Sequence, residues 1–137
     1  MIVLDTNVII AFLDRKDSLH KIAVESIKQH KDERFCTINV IIAEAYSVLA
    51  KRCRERRFDC KKALRVLKDF ENELEVFWIE ISKDMHETIV DIMINNEGRI
   101  NYNDVLLANF VREKRFKLLT FDKKLEDFLK ILVKDIV

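Results

Sequence analysis

The segment MIVLDTNV at residues 1–8 decides how the rest of the chain is interpreted. It starts with a short apolar run that contains the β-branched residues Ile2 and Val3, which is typical of a buried strand. Asp5 follows this run and therefore stands at the C-terminal end of the strand. Open α/β sheets hold their ligands at that end of their strands. The segment thus predicts a buried strand that delivers a carboxylate to a ligand site.

Strand and helix patterns alternate along the remaining chain. We predict strands over residues 1–4, 35–38, 76–81 and 117–121, with a last edge strand over 131–137. Helices are predicted over residues 18–31, 39–57, 60–75, 82–95, 103–114 and 123–129. Such alternation indicates a three-layer α/β/α sandwich with a central parallel sheet. A length of 137 residues without an internal repeat predicts a single domain over residues 1–137.

The composition excludes several classes of protein. With 49% hydrophobic and 36% charged residues, the chain can form a real core. Gly98 is its only glycine and it has no proline, which excludes Walker loops and dinucleotide-binding loops because both need several glycines. No apolar run approaches the roughly 18 residues that cross a bilayer, and no basic stretch precedes the first apolar segment. We therefore expect a cytoplasmic protein without a membrane segment.

The cysteines and histidines do not form a recognisable metal or disulfide pattern. Cys36, Cys53 and Cys60 are odd in number and include no C-x-x-C pair, so we predict free thiols rather than a disulfide framework or a zinc ribbon. The histidines, at 20, 30 and 86, stand at no metal-ligand spacing and are expected on the surface.

Four acidic residues are candidates for a shared site. Asp5 and Asp122 each follow a predicted strand, while Glu44 and Asp104 lie beside apolar helix faces. No lysine or arginine is expected to face inward with them. Carboxylates grouped without positive partners repel one another, and hard cations such as Mg²⁺ or Mn²⁺ are what such oxygen ligands hold.

Each of these acids also has a purely structural interpretation. Asp104 and Asp122 stand at helix starts, where aspartate caps free N–H groups. Asp5 could form a turn together with Asn7, and Glu44 could pair with a basic neighbour.

Four motifs occur in a fixed order: MIVLDTNV at 1–8, IIAE at 41–44, NDVLLA at 103–108 and LLTFD at 118–122. Together they resemble the motifs of PIN domains, and the chain's size most resembles VapC-like ribonuclease toxins. The resemblance implies a metal-dependent endoribonuclease in which Asp5, Glu44, Asp104 and Asp122 bind Mg²⁺ or Mn²⁺. It also implies supporting polar roles for Thr6, Asn7 and Thr120. The partners that it implies are an RNA substrate, a small antitoxin protein and a second copy of the chain in a homodimer.

A local basic cluster lies between residues 51 and 62, although the net charge of the chain is only +1. It consists of Lys51, Arg52, Arg54, Arg56, Arg57, Lys61 and Lys62. At the tip of a helical hairpin these side chains could follow an RNA backbone through its phosphates. The alternative is a solvated helix end whose charges favour the helix dipole.

Two other functions are compatible with the same sequence. The fold could bind RNA or a protein without cleaving it, or it could be an RNA-processing nuclease that is not a toxin. A third function, a phosphatase of the haloacid-dehalogenase type, would need an aspartate two residues after Asp5. The chain has Asn7 there, so we set this function aside.

Overall fold

A four-stranded parallel sheet lies at the centre of the molecule in the computed structural model, which describes residues 1–134. The strands are β1 (Ile2–Leu4), β2 (Phe35–Ile38), β3 (Glu75–Phe77) and β4 (Lys117–Leu119). Their order across the sheet is β3-β2-β1-β4. All three residues of β1 are buried because this strand pairs with β2 on one side and β4 on the other. The predicted parallel α/β fold is confirmed.

Seven helices flank the sheet in the described residues. They are α1 (Thr6–Leu13), α2 (His20–Gln29), α3 (Asn39–Arg56), α4 (Cys60–Glu73), α5 (Lys83–Asn95), α6 (Tyr102–Lys114) and α7 (Lys123–Lys134). A contiguous apolar cluster joins the sheet to these helices, with Leu4, Ile38, Ile41, Leu107 and Leu125 among its fully buried members. None of the helices over residues 1–134 is long and apolar enough to cross a membrane.

Helix α1 was absent from the sequence-based prediction. Its sequence TNVIIAFL is apolar nearly throughout, and Val8, Ile9, Ile10 and Ala11 are all buried. A helix that is buried on most sides lacks the alternation of polar and apolar faces by which helices are detected.

The predicted edge strand over 131–137 is wrong for residues 131–134, and its last three residues lie outside the described residues. Helix α7 continues to Lys134 instead of ending at residue 129. Leu125, Phe128, Leu129 and Leu132 recur at helical spacing and pack on the core. Ile131 is β-branched and therefore favours a strand. It is 59% exposed on the opposite face of the helix, so this preference does not decide the structure.

Strand β3 is also shorter than predicted, because the Asn39 side chain takes over the backbone pairing beyond Phe77. The Asn39 amide donates to the carbonyl of Ile79 (3.1 Å) and accepts from its N–H (2.9 Å). Strand β4 likewise ends at Leu119, two residues before the predicted end.

The prediction of free thiols is wrong for two of the three cysteines. Cys53 near the end of α3 and Cys60 at the start of α4 form a disulfide, with Cα atoms 5.3 Å apart. Arg57 between the helices has a φ of 56°, and this left-handed turn reverses the chain. Cys36 is free and buried, and burial raises the pKa of its thiol to about 11.

The histidines only partly follow the surface prediction. His86 is exposed, whereas His20 and His30 are half-buried with ring nitrogens 2.7 Å from the carbonyl of Ala11 and 2.8 Å from that of Ser26.

Candidate active site

Asp5 lies at the C-terminal end of β1 and is also the N-cap of α1. Only 4% of the residue is exposed. One carboxylate oxygen, Oδ1, accepts from the backbone N–H of Thr6 (2.8 Å), and Oδ2 accepts from the Thr120 hydroxyl (2.6 Å). Burial raises the pKa of Asp5; these two hydrogen bonds lower it in part, and the negative charges of Glu44 and Asp122 raise it further.

Thr120 and Asn7 join the ends of β1 and β4. The Thr120 hydroxyl donates to Asp5 and accepts from the backbone N–H of Asp122 (3.0 Å). The Asn7 side-chain carbonyl accepts from the N–H of Phe121 (3.2 Å), and its amide donates to the Thr120 hydroxyl (3.4 Å). Asn7 therefore does not form the alternative turn with Asp5; it fixes the segment that carries Asp122.

Thr6 connects the same strand end to α3. Its backbone N–H binds Asp5, and its hydroxyl donates to the carbonyl of Ile41 (3.5 Å). Both bonds hold elements in place, so the contribution of Thr6 is to position Asp5 relative to the helix that carries Glu44.

Glu44 projects from α3 and is half-buried. Its Oε2 accepts from the side-chain amide of Asn103 at the start of α6 (2.8 Å). The alternative that Glu44 pairs with a basic neighbour is therefore wrong: its partner is a neutral amide, which orients the carboxylate and leaves its negative charge uncompensated.

Asp104 stands in the first turn of α6 and does not cap it. Asn101 is the N-cap, and its side-chain oxygen accepts from the N–H of Asp104 (2.9 Å). Burial, followed by the charges of Asp5, Asp122 and Glu44, raises the pKa of Asp104 to about 7. The helix-cap alternative is thus wrong for this residue, which is half-buried beside three other acids.

Asp122 does cap its helix. Its Oδ1 accepts from the N–H groups of Lys124 (3.0 Å) and Leu125 (3.4 Å) at the start of α7. The capping interpretation is confirmed here. It involves only one of the two carboxylate oxygens, and Asp122 also raises the pKa of Asp5 and Asp104 through its charge.

The four acids line one cavity of about 230 Å³ at the C-terminal edge of the sheet. Its wall consists of Asp5, Thr6, Asn7, Ile10, Glu44, Val48, Arg52, Asn101, Asp104 and Asp122. Four different elements deliver the carboxylates, so their proximity is a property of the fold. A larger cavity of about 370 Å³ lies between α1 and the α3–α4 hairpin and is mostly apolar.

The donor chemistry of this cavity fits a hard divalent cation, because all four acids offer carboxylate oxygens and none is neutralised by a basic partner. Within residues 1–134, however, no three histidine, cysteine, aspartate or glutamate side chains lie close enough to form a ready-made metal site. Mutual repulsion of the carboxylates favours this spacing.

The sequence from residue 2 to residue 130 matches the family model of the PIN domain. The chain belongs to the PIN domain family. No curated protein matches this PIN domain significantly in sequence.

Solved structures share its fold. VapC20 of Mycobacterium tuberculosis, a toxin that cleaves the sarcin-ricin loop, superimposes with a TM-score of 0.73 at 18% identity, covering 93% of this chain and 94% of that one. PAE2754 of Pyrobaculum aerophilum gives 0.64 at 19% identity, covering 97% and 89%. VapBC2 of Rickettsia felis, solved with a DNA fragment from its promoter, gives 0.64 at 17% identity, covering 93% and 92%. At these identities the likeness shows a common fold.

The basic cluster of this PIN domain divides into two groups. Six members, Lys51, Arg54, Arg56, Arg57, Lys61 and Lys62, are exposed, whereas Arg52 is half-buried. Arg52 and Arg56 both pair with Asp14 (2.8 and 2.7 Å), and Arg52 also pairs with Asp17 (2.8 Å). Arg52 lines the acidic cavity, so the expectation that no basic side chain faces the acids is wrong. Arg52 follows Glu44 by eight residues, or about two turns of α3, so the sequence already placed both side chains on one face of the helix.

Two polar residues of the site were missed by the sequence analysis. Asn101 caps α6, and Asn103 binds Glu44. An asparagine three residues before Asp104 at a helix start is a capping signal, whereas the contact between Asn103 and Glu44 spans 59 residues and left no local pattern.

Proposed function

We propose that this PIN domain, as a single unit over residues 1–137, is a Mg²⁺- or Mn²⁺-dependent endoribonuclease that hydrolyses RNA phosphodiester bonds. The observation that carries the proposal is the convergence of Asp5, Glu44, Asp104 and Asp122 on one cavity, where burial and then the charges of the other three acids raise the pKa of Asp104 to about 7. A site that keeps several uncompensated carboxylates together is suited to a divalent cation.

The chain's own residues have distinct parts in this chemistry. Asp5, Glu44, Asp104 and Asp122 would hold the cation. Thr120 and Asn103 fix the first two of these carboxylates through hydrogen bonds of 2.6 and 2.8 Å. A divalent ion bound there would polarise the scissile phosphate and lower the pKa of a water. The cavity has no cysteine and no histidine in its wall, so it offers no obvious protein nucleophile of those types.

The RNA-binding part of the proposal concerns the basic cluster. The exposed side chains Lys51, Arg54, Arg57, Lys61 and Lys62 occupy the end of α3 and the start of α4. Phosphates bind such a surface without regard to base sequence and with a steep salt dependence.

The biological role in this proposal is that of a cytoplasmic toxin. The common fold with VapC20 and with VapBC2 supports it. The partners proposed with it are a small antitoxin protein and a second copy of the chain. Exposed apolar side chains at Trp78, Ile81 and Met85 offer a surface for such contacts.

A cleavage assay with a matched pair of variants tests the proposed activity. Asp104 and Asp84 both stand in the first turn of a helix, but Asp84 is exposed on α5 and does not line the cavity. We expect wild type and Asp84→Asn to cleave single-stranded RNA with Mg²⁺ and to lose cleavage in EDTA. Asp104→Asn should lose at least about 100-fold in rate, as expected for loss of a metal ligand.

The contrary outcomes are equally specific. Full cleavage in excess chelator would refute metal dependence. RNA binding by wild type without cleavage under any divalent cation would favour the non-catalytic binding module, and cleavage without growth arrest on expression would favour an RNA-processing nuclease.

A further inference from the structure

Arg52 occupies a position that no other member of the basic cluster shares. Glu44, Val48 and Arg52 follow one another at intervals of four residues on α3, so they lie on one face of the helix. All three line the acidic cavity. The Arg52 side chain is 27% exposed, which leaves it accessible to a ligand in the cavity.

The Arg52 guanidinium is fixed by two carboxylates. Nη1 donates to Asp14 Oδ2 and to Asp17 Oδ2, both at 2.8 Å. Neither Nε nor Nη2 donates to a protein group within residues 1–134. A guanidinium carries five N–H donors in a planar fork. The N–H groups of Nε and Nη2 can therefore donate to a ligand.

The carboxylate of Asp14 remains charged under ordinary conditions. Burial raises the pKa of Asp14, but the N–H of Lys16 and the guanidinium groups of Arg52 and Arg56 outweigh it and hold that pKa below its usual value. A side chain that is already held in place loses little conformational entropy when it binds a ligand.

The acidic cavity needs a cationic group for its substrate. Four carboxylates line this cavity and repel an RNA phosphate, and a divalent ion held among them would act on the scissile group alone. A planar guanidinium at the wall matches the geometry of a phosphate better than a lysine does.

We propose that Arg52 binds a phosphate of the RNA at the edge of the acidic cavity, and that Asp14 and Asp17 hold its guanidinium in position. This inference rests on the proposed function, because it assigns a substrate contact within the same site.

The test measures RNA affinity at several salt concentrations by fluorescence anisotropy, with a short single-stranded RNA and Mg²⁺. An Asp104→Asn background keeps the RNA intact. Three substitutions, Arg52→Ala, Arg52→Lys and Asp17→Asn, are added singly to that background. The matched control is Arg34→Ala, which removes one arginine and its ion pair with Glu75 (3.1 Å) at the N-terminal end of the sheet, away from the cavity.

We expect Arg52→Ala to weaken RNA binding about tenfold and to lower the slope of log Kd against log salt by about one, because one phosphate contact is lost. Arg52→Lys keeps the charge, so it should retain the slope and bind several-fold more weakly. Asp17→Asn should retain the slope because Arg52 is still present, but it should bind RNA more weakly than the background because the guanidinium is held by Asp14 alone. Arg34→Ala should change neither quantity.

Several results would overturn the inference. An unchanged slope in Arg52→Ala would show that this side chain contacts no phosphate. Unchanged affinity in Asp17→Asn would show that Asp17 does not hold the guanidinium in position, and an equal fall in slope for Arg34→Ala would reflect overall charge alone.

The outcome also separates this inference from the proposed function. If wild type cleaves RNA and the background binds it while Arg52→Ala keeps the full slope, only the assignment of Arg52 fails. If the background protein binds no RNA, the proposed RNA substrate is overturned and the assignment of Arg52 falls with it.

Discussion

Asp104 shows how the same residue type takes different roles at two helix starts. Asn101 already caps α6, so the carboxylate of Asp104 is not needed there and faces other acids instead. Asp122 caps α7 with one oxygen and still contributes charge to the cavity. Capping and participation in an acidic site are therefore compatible, and exchange to asparagine separates the two roles because asparagine caps as well as aspartate does.

The stability of the metal-free protein should respond to Asp104→Asn in a pH-dependent way. The folded-state pKa of Asp104 is raised to about 7 from 3.8. A raised pKa means that the stabilising contribution is complete below pH 3.8 and is lost as the pH rises through about 7. In EDTA at pH 8 we expect the variant to be roughly 1 to 2 kcal/mol more stable than wild type, a value discounted for solvent screening.

Urea unfolding of both proteins at pH 5 and pH 8 checks this expectation. At pH 5 the advantage should be clearly smaller, since Asp104 is then largely protonated in the folded wild type, and it should vanish only below pH 3.8, where the unfolded chain is protonated as well. Asp84→Asn serves as the control for the loss of one charge in a first helical turn, and its difference from wild type should not grow with pH. Lower stability of Asp104→Asn at pH 8 would return Asp104 to a structural role.

The starts of helices that combine an amphipathic pattern with a capping residue were predictable from the sequence. Helices α4 and α5 begin within one residue of their predicted limits, because polar and apolar residues separate on their surfaces and Asp59 and Ser82 cap their first turns. Helix α1 is buried almost throughout and gave no such pattern. The end of β3 depends on a contact between Asn39 and Ile79. These residues are 40 positions apart, so the sequence pattern around β3 could not predict it.

The candidate site follows the same division. Asp5 and Asp122 were predictable as site residues because parallel strands place their C-terminal ends at one edge. Contacts such as Asn103 with Glu44 and Arg52 with Asp14 join distant parts of the chain. Composition and periodicity describe neighbours along the sequence, so these pairings required the fold.

The end of α6 offers a test of backbone strain at the level of one element. Arg115 follows the last helical residue with a φ of 58° and is exposed. The left-handed conformation costs an L-residue about 1 to 2 kcal/mol, whereas glycine adopts it freely. We expect Arg115→Gly to raise the free energy of unfolding by roughly 0.5 to 1 kcal/mol after the entropy of the unfolded chain is counted.

Glu113→Gly is the matched control for that substitution, because Glu113 is exposed and lies within the same helix. Glycine inside a helix should lower the free energy of unfolding by about 1 kcal/mol. Chemical denaturation of both variants measures the contrast. Equal destabilisation by the two substitutions would show that the left-handed turn at Arg115 is not strained.

At the scale of the whole molecule, two helices connect the candidate site to the periphery. Helix α1 is flanked by its N-cap, Asp5, in the cavity and by its C-cap, Asp14, which binds Arg52. Helix α3 carries Glu44 and Arg52 and then reaches Cys53. Beyond that point the disulfide to Cys60 and a hydrogen bond from Tyr46 to Glu71 (2.6 Å) fasten α3 to α4. The acids thus depend on contacts made well outside the cavity.

The disulfide should stabilise this arrangement by restricting the unfolded chain. Cys53 and Cys60 are seven residues apart, and closing such a short loop contributes about 2 kcal/mol. We expect Cys60→Ser to lower the free energy of unfolding by that amount, and dithiothreitol to lower wild type to the same value while leaving Cys60→Ser unchanged. Thiol titration decides whether the bond exists: protein purified without reductant and then denatured should show one reactive thiol, from Cys36. Reducing compartments keep most cysteines as thiols. If protein purified without reductant shows three reactive thiols, Cys53 and Cys60 are not paired, and the stabilising role of the bond is refuted with the pairing.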